Sequence, residues 1–189
     1  DWDMNNFSGD DLSLLRTQPH SIEAEQWVLG GLMLDNMAWD KISDVVHEDD
    51  FYRYDHRLIF KTIMGLIEKT HPADVLTVFE SLQNQGRLDD VGGMAYLNAL
   101  ATGVSSAVNI RRYAEIIRDR SLLRKLISAS DNIAESALSP QGRDTNEIID
   151  SAEKAILQVS QDGQRGNNEF IELPVVLKDV LEMINELHE

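Results

Sequence analysis

The stretch NIRRYAEIIRDRSLLRKLISASDNIAESAL, residues 109–138, determines the predicted fold. It contains neither glycine nor proline, so no residue in it interrupts a helix. Its apolar residues recur every three or four positions, which predicts one long amphipathic helix. They are Tyr113, Ile116, Ile117, Leu123, Leu126, Ile127, Ile133 and Ala137. The following SPQG, residues 139–142, predicts a turn. Asp144 and Glu147 have the spacing of a capping box, which predicts the start of a return helix.

Two long helices joined by a short loop pack antiparallel, so the sequence predicts a helical hairpin over residues 104–160. The return helix carries its own apolar positions, at Ile148, Ile149, Ala152, Ile156 and Val159. Such a hairpin has too little interior to bury both apolar faces, and we therefore predict self-association. The residues predicted to form the dimer interface are Tyr113, Ile117, Leu123, Ile127 and Ile156.

Short helices separated by turn signals precede the hairpin, and they predict a globular subdomain over residues 19–103. Ser21 is a predicted N-cap, and Glu23 and Glu25 lie in the first turn of its helix. Further helices are predicted over residues 37–46, 54–68, 75–85 and 94–100, with Asp74 as a cap, Gly86 as a C-terminal cap and Gly92-Gly93 as a break. No segment alternates in the manner of a strand, so the predicted fold class is all-α.

The two ends of the chain differ from these packed segments. Residues 1–18 are polar and acidic, and we predict a flexible arm. Residues 161–173 begin with QDGQRGNN and predict a flexible linker. Residues 174–189 predict an amphipathic helix that needs a surface to dock on. Its docking face consists of Leu177, Val180, Leu181, Ile184 and Leu187.

Charge and composition narrow the classes of function. The net charge is −16, which makes direct binding of nucleic acid unfavourable and favours contact with other proteins, especially basic ones. There is no cysteine, which excludes disulfides and thiolate metal sites and suits a reducing compartment. No apolar run reaches the roughly 18–20 residues that span a bilayer. These features predict a cytoplasmic protein without membrane contact.

The sequence contains no arrangement of residues that predicts catalysis. No P-loop motif is present, and the glycine pairs at 30–31 and 92–93 are predicted to serve packing and turns. Histidines at metal-binding spacing are absent, so His56 is predicted to be a buried structural residue. The run His47-Glu48-Asp49-Asp50 predicts a solvated acidic loop. We predict no catalytic, cofactor or metal site in this chain.

Several of these segments, in order, resemble the amino-terminal region of DnaB-type replicative helicases. The matching residues are PHSIEAEQ (19–26), VLGG (28–31), Phe51-Tyr52, His56-Arg57 with Ile59-Phe60, Asp74, Thr77, Gly86 with Leu88, Gly92-Gly93 with Tyr96-Leu97, and Asn109, Tyr113-Ala114 and Ile116 to Arg120, through Arg124. The resemblance implies a primase-binding collar in which hairpins pair and three pairs complete a hexamer. It implies that the helix at residues 174–189 docks on the neighbouring subunit.

The resemblance also implies which partners and cofactors act elsewhere in such a protein. ATP and Mg²⁺ would be bound by a carboxy-terminal domain that these residues do not include, and DNA would be met only through the parent ring. A helicase loader is a further possible partner. The residues predicted to contact the carboxy-terminal helicase-binding domain of primase are Arg118, Arg120 and Arg124. A stand-alone adaptor with the collar fold, and an enzyme built around His56, are the alternatives.

Overall fold

The structure is a computed structural model and describes residues 17–164. Within that range the chain is helical and contains no strand, which confirms the predicted all-α class. The α-helices are α1 (Ile22–Leu34), α2 (Tyr54–Glu68), α3 (Val75–Asn84), α4 (Gly93–Thr102), α5 (Ile110–Leu138) and α6 (Thr145–Gln164). Three short 3-10 helices lie at Asn36–Lys41, Glu48–Asp50 and Asp89–Val91.

Local capping explains where these helices begin and end. Ser21 accepts a hydrogen bond from the Ala24 amide at 3.3 Å and so starts α1. Asp74 and Thr77 form a reciprocal capping box at the start of α3. Gly86 has a φ of 67° just beyond α3, as a C-terminal cap requires. The capping predictions at these positions are confirmed.

The predicted helix over residues 37–46 is wrong in type. Asn36–Lys41 is a 3-10 helix, and turns follow it up to Val46. The Asp35 carboxylate accepts the Met37 amide at 3.0 Å and starts this tighter helix. The turns place Ile42, Val45 and Val46 in the core together. An α-helix would also place residues three and four apart on one side, so the apolar spacing alone does not distinguish the two structures.

Helix α1 forms the centre of a globular unit, which we call the head (residues 17–109 together with the first turns of α5). Its buried residues, such as Leu29 and Leu32, share one core with buried side chains of the surrounding segments, among them Phe51, Ile59, Ile63, Leu82 and Leu97. The pair Gly30-Gly31 is buried inside α1, which confirms that these glycines serve packing. A Cβ built on Gly30 would lie 2.2 Å from the Leu100 carbonyl oxygen, so this glycine allows α1 and α4 to touch.

The predicted domain boundary at residue 103 does not separate two packing units. Ile110, Ala114 and Ile117 from α5 are buried in the head core. The hairpin therefore begins as part of the head, and only the later part of α5 projects with α6. The reason is that the first turns of α5 pack against α1, a contact between residues distant in sequence.

The predicted start of the linker at residue 161 is also corrected, because α6 continues to Gln164. Contacts with α5 hold this last turn in place of the coil that its glycine suggests. The amphipathic helix predicted over residues 174–189, with the rest of the linker and most of the arm at 1–18, lies outside the described residues. Among the described helices, none has the length and apolarity that crossing a membrane requires.

Candidate interaction surface of the helical hairpin

Helices α5 and α6 pack against each other along one line of contact, which we call the seam. Several specific contacts join the two helices at the end of the seam near the head. Arg118 donates to the Gly163 carbonyl at 2.6 Å, and Lys125 pairs with Asp162 at 3.5 Å. A Cβ on Gly163 would lie 3.6 Å from Leu122, so the two helices are in contact there. These contacts explain why α6 extends through Gly163. At the other end, Asp144 and Glu147 form the predicted capping box, with hydrogen bonds of 2.8 and 3.2 Å.

The hairpin exposes an apolar face that nothing in residues 17–164 covers. Leu123 is 44% exposed, Ile127 37%, Ile149 49% and Ile156 43%. At roughly 100° per residue, Leu123 and Ile127 form one row on α5, and Ile149 and Ile156 form another on α6. When the angle around each helix is counted from the line of contact between α5 and α6, both rows lie on the same side of the hairpin. We call these four residues the hairpin face. These four side chains form one continuous apolar patch, whereas exposed apolar residues on a protein surface are usually scattered singly.

Two residues predicted for the dimer interface do not belong to this surface. Ile117 is 1% exposed and lies in the head core. Tyr113 is half-buried, and its ring stacks on Trp27 with a centroid distance of 5.1 Å. The periodicity of α5 includes both residues in one apolar stripe, but the head covers the first part of that stripe. Leu123, Ile127 and Ile156 remain as predicted members of the interface.

A second group of contacts fixes the hairpin to the head, and we call it the joint. Arg124 donates to the carbonyl oxygens of Pro19 and Asp50, each at 2.7 Å. Its guanidinium lies over the Tyr52 ring at 5.4 Å, and burial lowers the pKa of Arg124 below its usual value. Ser121 donates to the Asp50 carboxylate at 2.9 Å. The joint thus ties α5 to two segments of the head by charge-assisted hydrogen bonds.

The joint changes the interpretation of the three arginines predicted to contact primase. Arg124 and Arg118 donate to backbone carbonyls of their own chain, so their guanidinium groups are committed to the fold. Arg120 is exposed, and it forms no ion pair with any described residue. It lies about 60° round α5 from Leu123, at the rim of the hairpin face. Of the three, Arg120 alone keeps the predicted geometry of a docking residue.

Further arginines on α5 are paired across the head surface. Arg111 donates to the Asp44 carboxylate at 3.2 Å. This hydrogen bond, opposed by partial desolvation, lowers the pKa of Asp44 below its usual value. Both side chains are about half exposed, so the pair adds little stability.

A buried polar network joins α1, α2 and α4. The Glu25 carboxylate accepts the Tyr52 amide at 2.9 Å, the Arg53 amide at 3.3 Å and His56 Nδ1 at 2.8 Å. The other ring nitrogen of His56 lies 2.6 Å from the Tyr96 hydroxyl. His56 is fully buried and hydrogen-bonded on both nitrogens, which confirms its predicted structural role. Glu25 was predicted only as a helix-dipole residue, and no local pattern separates it from the exposed Glu23.

The acidic run at residues 47–50 is only partly the solvated loop that was predicted. Asp50 is 2% exposed, and its carboxylate accepts the His47 amide at 2.8 Å as well as the Ser121 hydroxyl. The prediction was wrong for Asp50, because α5 covers the residue from above. Glu48 and Asp49 remain more accessible. No cluster of three or more metal-ligating side chains occurs in residues 17–164.

Comparison with known proteins places this architecture in a family. The sequence profile of the DnaB-like helicase N-terminal domain matches residues 17–119, which is more than half of the chain. The chain belongs to this family. The matched range covers the head and the first turns of α5.

Individual members of the DnaB-like family agree with this assignment. The replicative DNA helicase DnaB of Haemophilus influenzae is 45% identical over 143 residues, which are 76% of this chain and 31% of the relative. The crystal structure of the N-terminal domain of DnaB helicase from Mycobacterium tuberculosis is 33% identical with a TM-score of 0.72, covering 75% of this chain and 99% of that one. The chain spans about a third of the length of the curated relatives it matches.

A more distant match shows the fold alone. It is a structure described as a DnaB-like replicative helicase and its interactions with primase, 21% identical with a TM-score of 0.59. The match covers 84% of this chain and 34% of that chain.

The residues that carry the resemblance to DnaB-type helicases have structural roles in this chain. Pro19, Tyr52 and Arg124 form the joint, and His56 and Tyr96 belong to the buried network. Gly30 allows α1 to approach α4. These motifs therefore specify the head and the attachment of its hairpin, which is the part of the molecule that presents the hairpin face.

Proposed function

We propose that this chain is the amino-terminal assembly part of an ATP-driven replicative DNA helicase. The observation that carries the proposal is the hairpin face, an uncovered apolar surface held at a fixed angle to the head by the joint. Membership of the DnaB-like family and the names of the relatives support it. A stand-alone adaptor is not favoured, since the curated relatives that match are replicative helicases.

The remaining activities of such a helicase are assigned to other parts of the protein. ATP and Mg²⁺ would bind in a carboxy-terminal domain, and DNA would be met by the assembled ring in the bacterial cytoplasm. The helix predicted over residues 174–189 would dock on the neighbouring subunit, and a helicase loader would be a further partner. The net charge of −16 supports this division, because so acidic a chain does not attract phosphate backbones.

Pairing of two hairpins is the assembly step that the hairpin face supports best. Four exposed aliphatic side chains in two adjacent rows would form the centre of a four-helix bundle. Beyond Ile127, the same side of α5 carries the small residues Ser130 and Ala134, which permit close approach of another helix. Three pairs would then complete the hexamer.

Replacing Leu123 with glutamate is expected to weaken self-association at least tenfold, about 1.4 kcal/mol. A carboxylate in the centre of the bundle would be buried without a partner. Since Leu123 is 44% exposed in the single chain, the head should remain folded, which circular dichroism can verify. Molar mass from light scattering over a concentration series measures the effect.

Ser128→Glu is the matched control for this experiment, because it introduces the same charge into the same helix. Ser128 is exposed and lies five residues on, about 140° round α5 from Leu123. It should leave the molar mass unchanged. Equal masses for Leu123→Glu and the wild type would contradict pairing through the hairpin face.

Docking of primase is proposed at the rim of the hairpin face, around Arg120. This arginine is exposed and its guanidinium is available for a charge-assisted hydrogen bond. Arg120→Glu is expected to weaken binding of the carboxy-terminal helicase-binding domain of primase about fivefold, as a rim charge should. Calorimetric titration measures the dissociation constant.

Lys61→Glu controls for the change in net charge, since Lys61 is an exposed cation on α2 of the head. It should bind primase as the wild type does. No heat of binding with the wild-type chain, or equal weakening by both variants, would contradict docking at Arg120.

A further inference from the structure

A pocket of about 420 Å³ opens between α1 and α4 on the head, away from the hairpin face. Its volume falls within the range of small-ligand sites. Residues from both helices and from the loop after α4 line it, among them Glu23, Gln26, Trp27, Tyr96, Ala99 and Gly103. The assembly role does not use this pocket.

The Tyr96 hydroxyl presents an acceptor to the pocket. The Gln26 amide nitrogen, which can only donate, lies 3.3 Å from the Tyr96 oxygen. In the tautomer in which His56 donates its Nδ1–H to the Glu25 carboxylate at 2.8 Å, its Nε2 accepts the Tyr96 hydroxyl at 2.6 Å. The proton of Tyr96 is then directed into the protein, and its oxygen acts as an acceptor at the edge of a pocket that Tyr96 lines.

Three more features of the pocket favour a positive charge. Glu23 is exposed beside it and forms no ion pair with any residue between 17 and 164. The last turn of α4 contains no basic residue, so the negative end of the helix is not neutralised from within. Trp27 lines the pocket, and the stack of its ring on Tyr113 fixes an aromatic group beside a bound cation.

Arg53, the cation that lies over the Tyr96 ring, is already paired. Arg53 forms an ion pair with Asp55, and its guanidinium lies 5.4 Å from the centre of the Tyr96 ring. The pocket therefore combines acceptors, an aromatic surface and a carboxylate. A planar group with several donors matches this set better than a point charge does. We propose that the pocket between α1 and α4 binds a guanidinium group, carried by an arginine side chain of a protein partner.

A capped arginine tests the proposal directly. The full chain, labelled with ¹⁵N at tryptophan, is titrated with N-acetyl-arginine methylamide and with its neutral isostere N-acetyl-citrulline methylamide. The Trp27 indole resonance, assigned through Trp27→Phe, should shift with arginine at a dissociation constant on the order of 1 mM. Citrulline should bind at least about tenfold more weakly. Equal shifts with both compounds would overturn the proposal.

Two variants and a matched control locate the site. Glu23→Gln should weaken arginine binding about fivefold, because an exposed ion pair is lost. Ala99→Leu should abolish binding by filling the pocket, whereas Ala95→Leu, an exposed position one turn earlier on α4, should leave it unchanged. Binding that Ala99→Leu does not reduce, in a chain with an unchanged circular dichroism spectrum, would overturn the site.

A third ligand distinguishes a protein side chain from a free small cation. Agmatine has the guanidinium and the aliphatic chain of arginine but lacks its backbone amides. Similar affinities for agmatine and capped arginine support recognition of the side chain. Agmatine binding more than tenfold tighter would overturn the assignment to a protein partner.

Discussion

Replacing Glu25 with leucine is expected to lower the free energy of unfolding by about 3–5 kcal/mol, because a buried carboxylate that accepts three hydrogen bonds is removed. The carboxylate is 1% exposed and accepts two backbone amides and His56 Nδ1. Leucine accepts none of these, so three buried donors would lose their acceptor at once. Urea unfolding at a fixed protein concentration measures the change, since self-association also affects stability.

Two neighbouring variants make the Glu25 prediction specific. Glu23→Leu makes the same substitution at an exposed position of the same first turn, and it should change stability by about 0.5 kcal/mol or less. Glu25→Gln keeps an acceptor for the amides and should cost less than Glu25→Leu. A loss for Glu25→Leu no greater than that of Glu23→Leu would show that the network contributes little.

The buried network shows why a local pattern does not identify its members. Glu23 and Glu25 both suit the first turn of α1, and both were predicted to interact with the helix dipole. Only the approach of α2, whose first residues bring their amides to Glu25, separates the two. The sequence predicted a buried His56 on its chemistry, but its partners are 31 and 40 residues away.

The elements that the sequence predicted well depend on short-range signals. The predicted helix at residues 54–68 has the bounds of α2, and the long helix and its return helix are α5 and α6. Proline, glycine and capping residues mark these ends, and each acts within a few positions. The 3-10 segment after α1 was predicted as an α-helix, because Ile42 and Val46, both buried, have the spacing that an α-helix also gives.

The apolar stripe of α5 shows the limit for the interaction surface. Ile117 and Leu123 follow the same period, yet one is 1% and the other 44% exposed. The head covers α5 up to the joint and leaves the rest uncovered. The same apolar periodicity therefore gives core residues in the first part of α5 and surface residues in the later part. The arginines divide in the same way. Arg118 and Arg124 donate hydrogen bonds to backbone carbonyls that are distant in sequence and are brought close by the fold. Arg120 forms no such hydrogen bond with a described residue.

Gly30→Ala is expected to lower the free energy of unfolding by about 3 kcal/mol, at the upper end of what overpacking costs. The added Cβ would lie 2.2 Å from the Leu100 carbonyl oxygen and 2.7 Å from a methyl carbon of Val104. The nearer atom belongs to the backbone of α4, so α1 and α4 must move apart. The gain in helix propensity, about 1 kcal/mol, does not offset this.

Gly65→Ala makes the same substitution in the last turn of α2, where a Cβ would meet nothing within 4 Å. It should raise the free energy of unfolding by about 0.5–1 kcal/mol through propensity alone. The two variants thus differ in sign, and their comparison separates the clash from the intrinsic effect of alanine. If Gly30→Ala also stabilised the chain, α1 and α4 would not be in contact at Gly30. The pocket beside that contact would then lose its geometric basis.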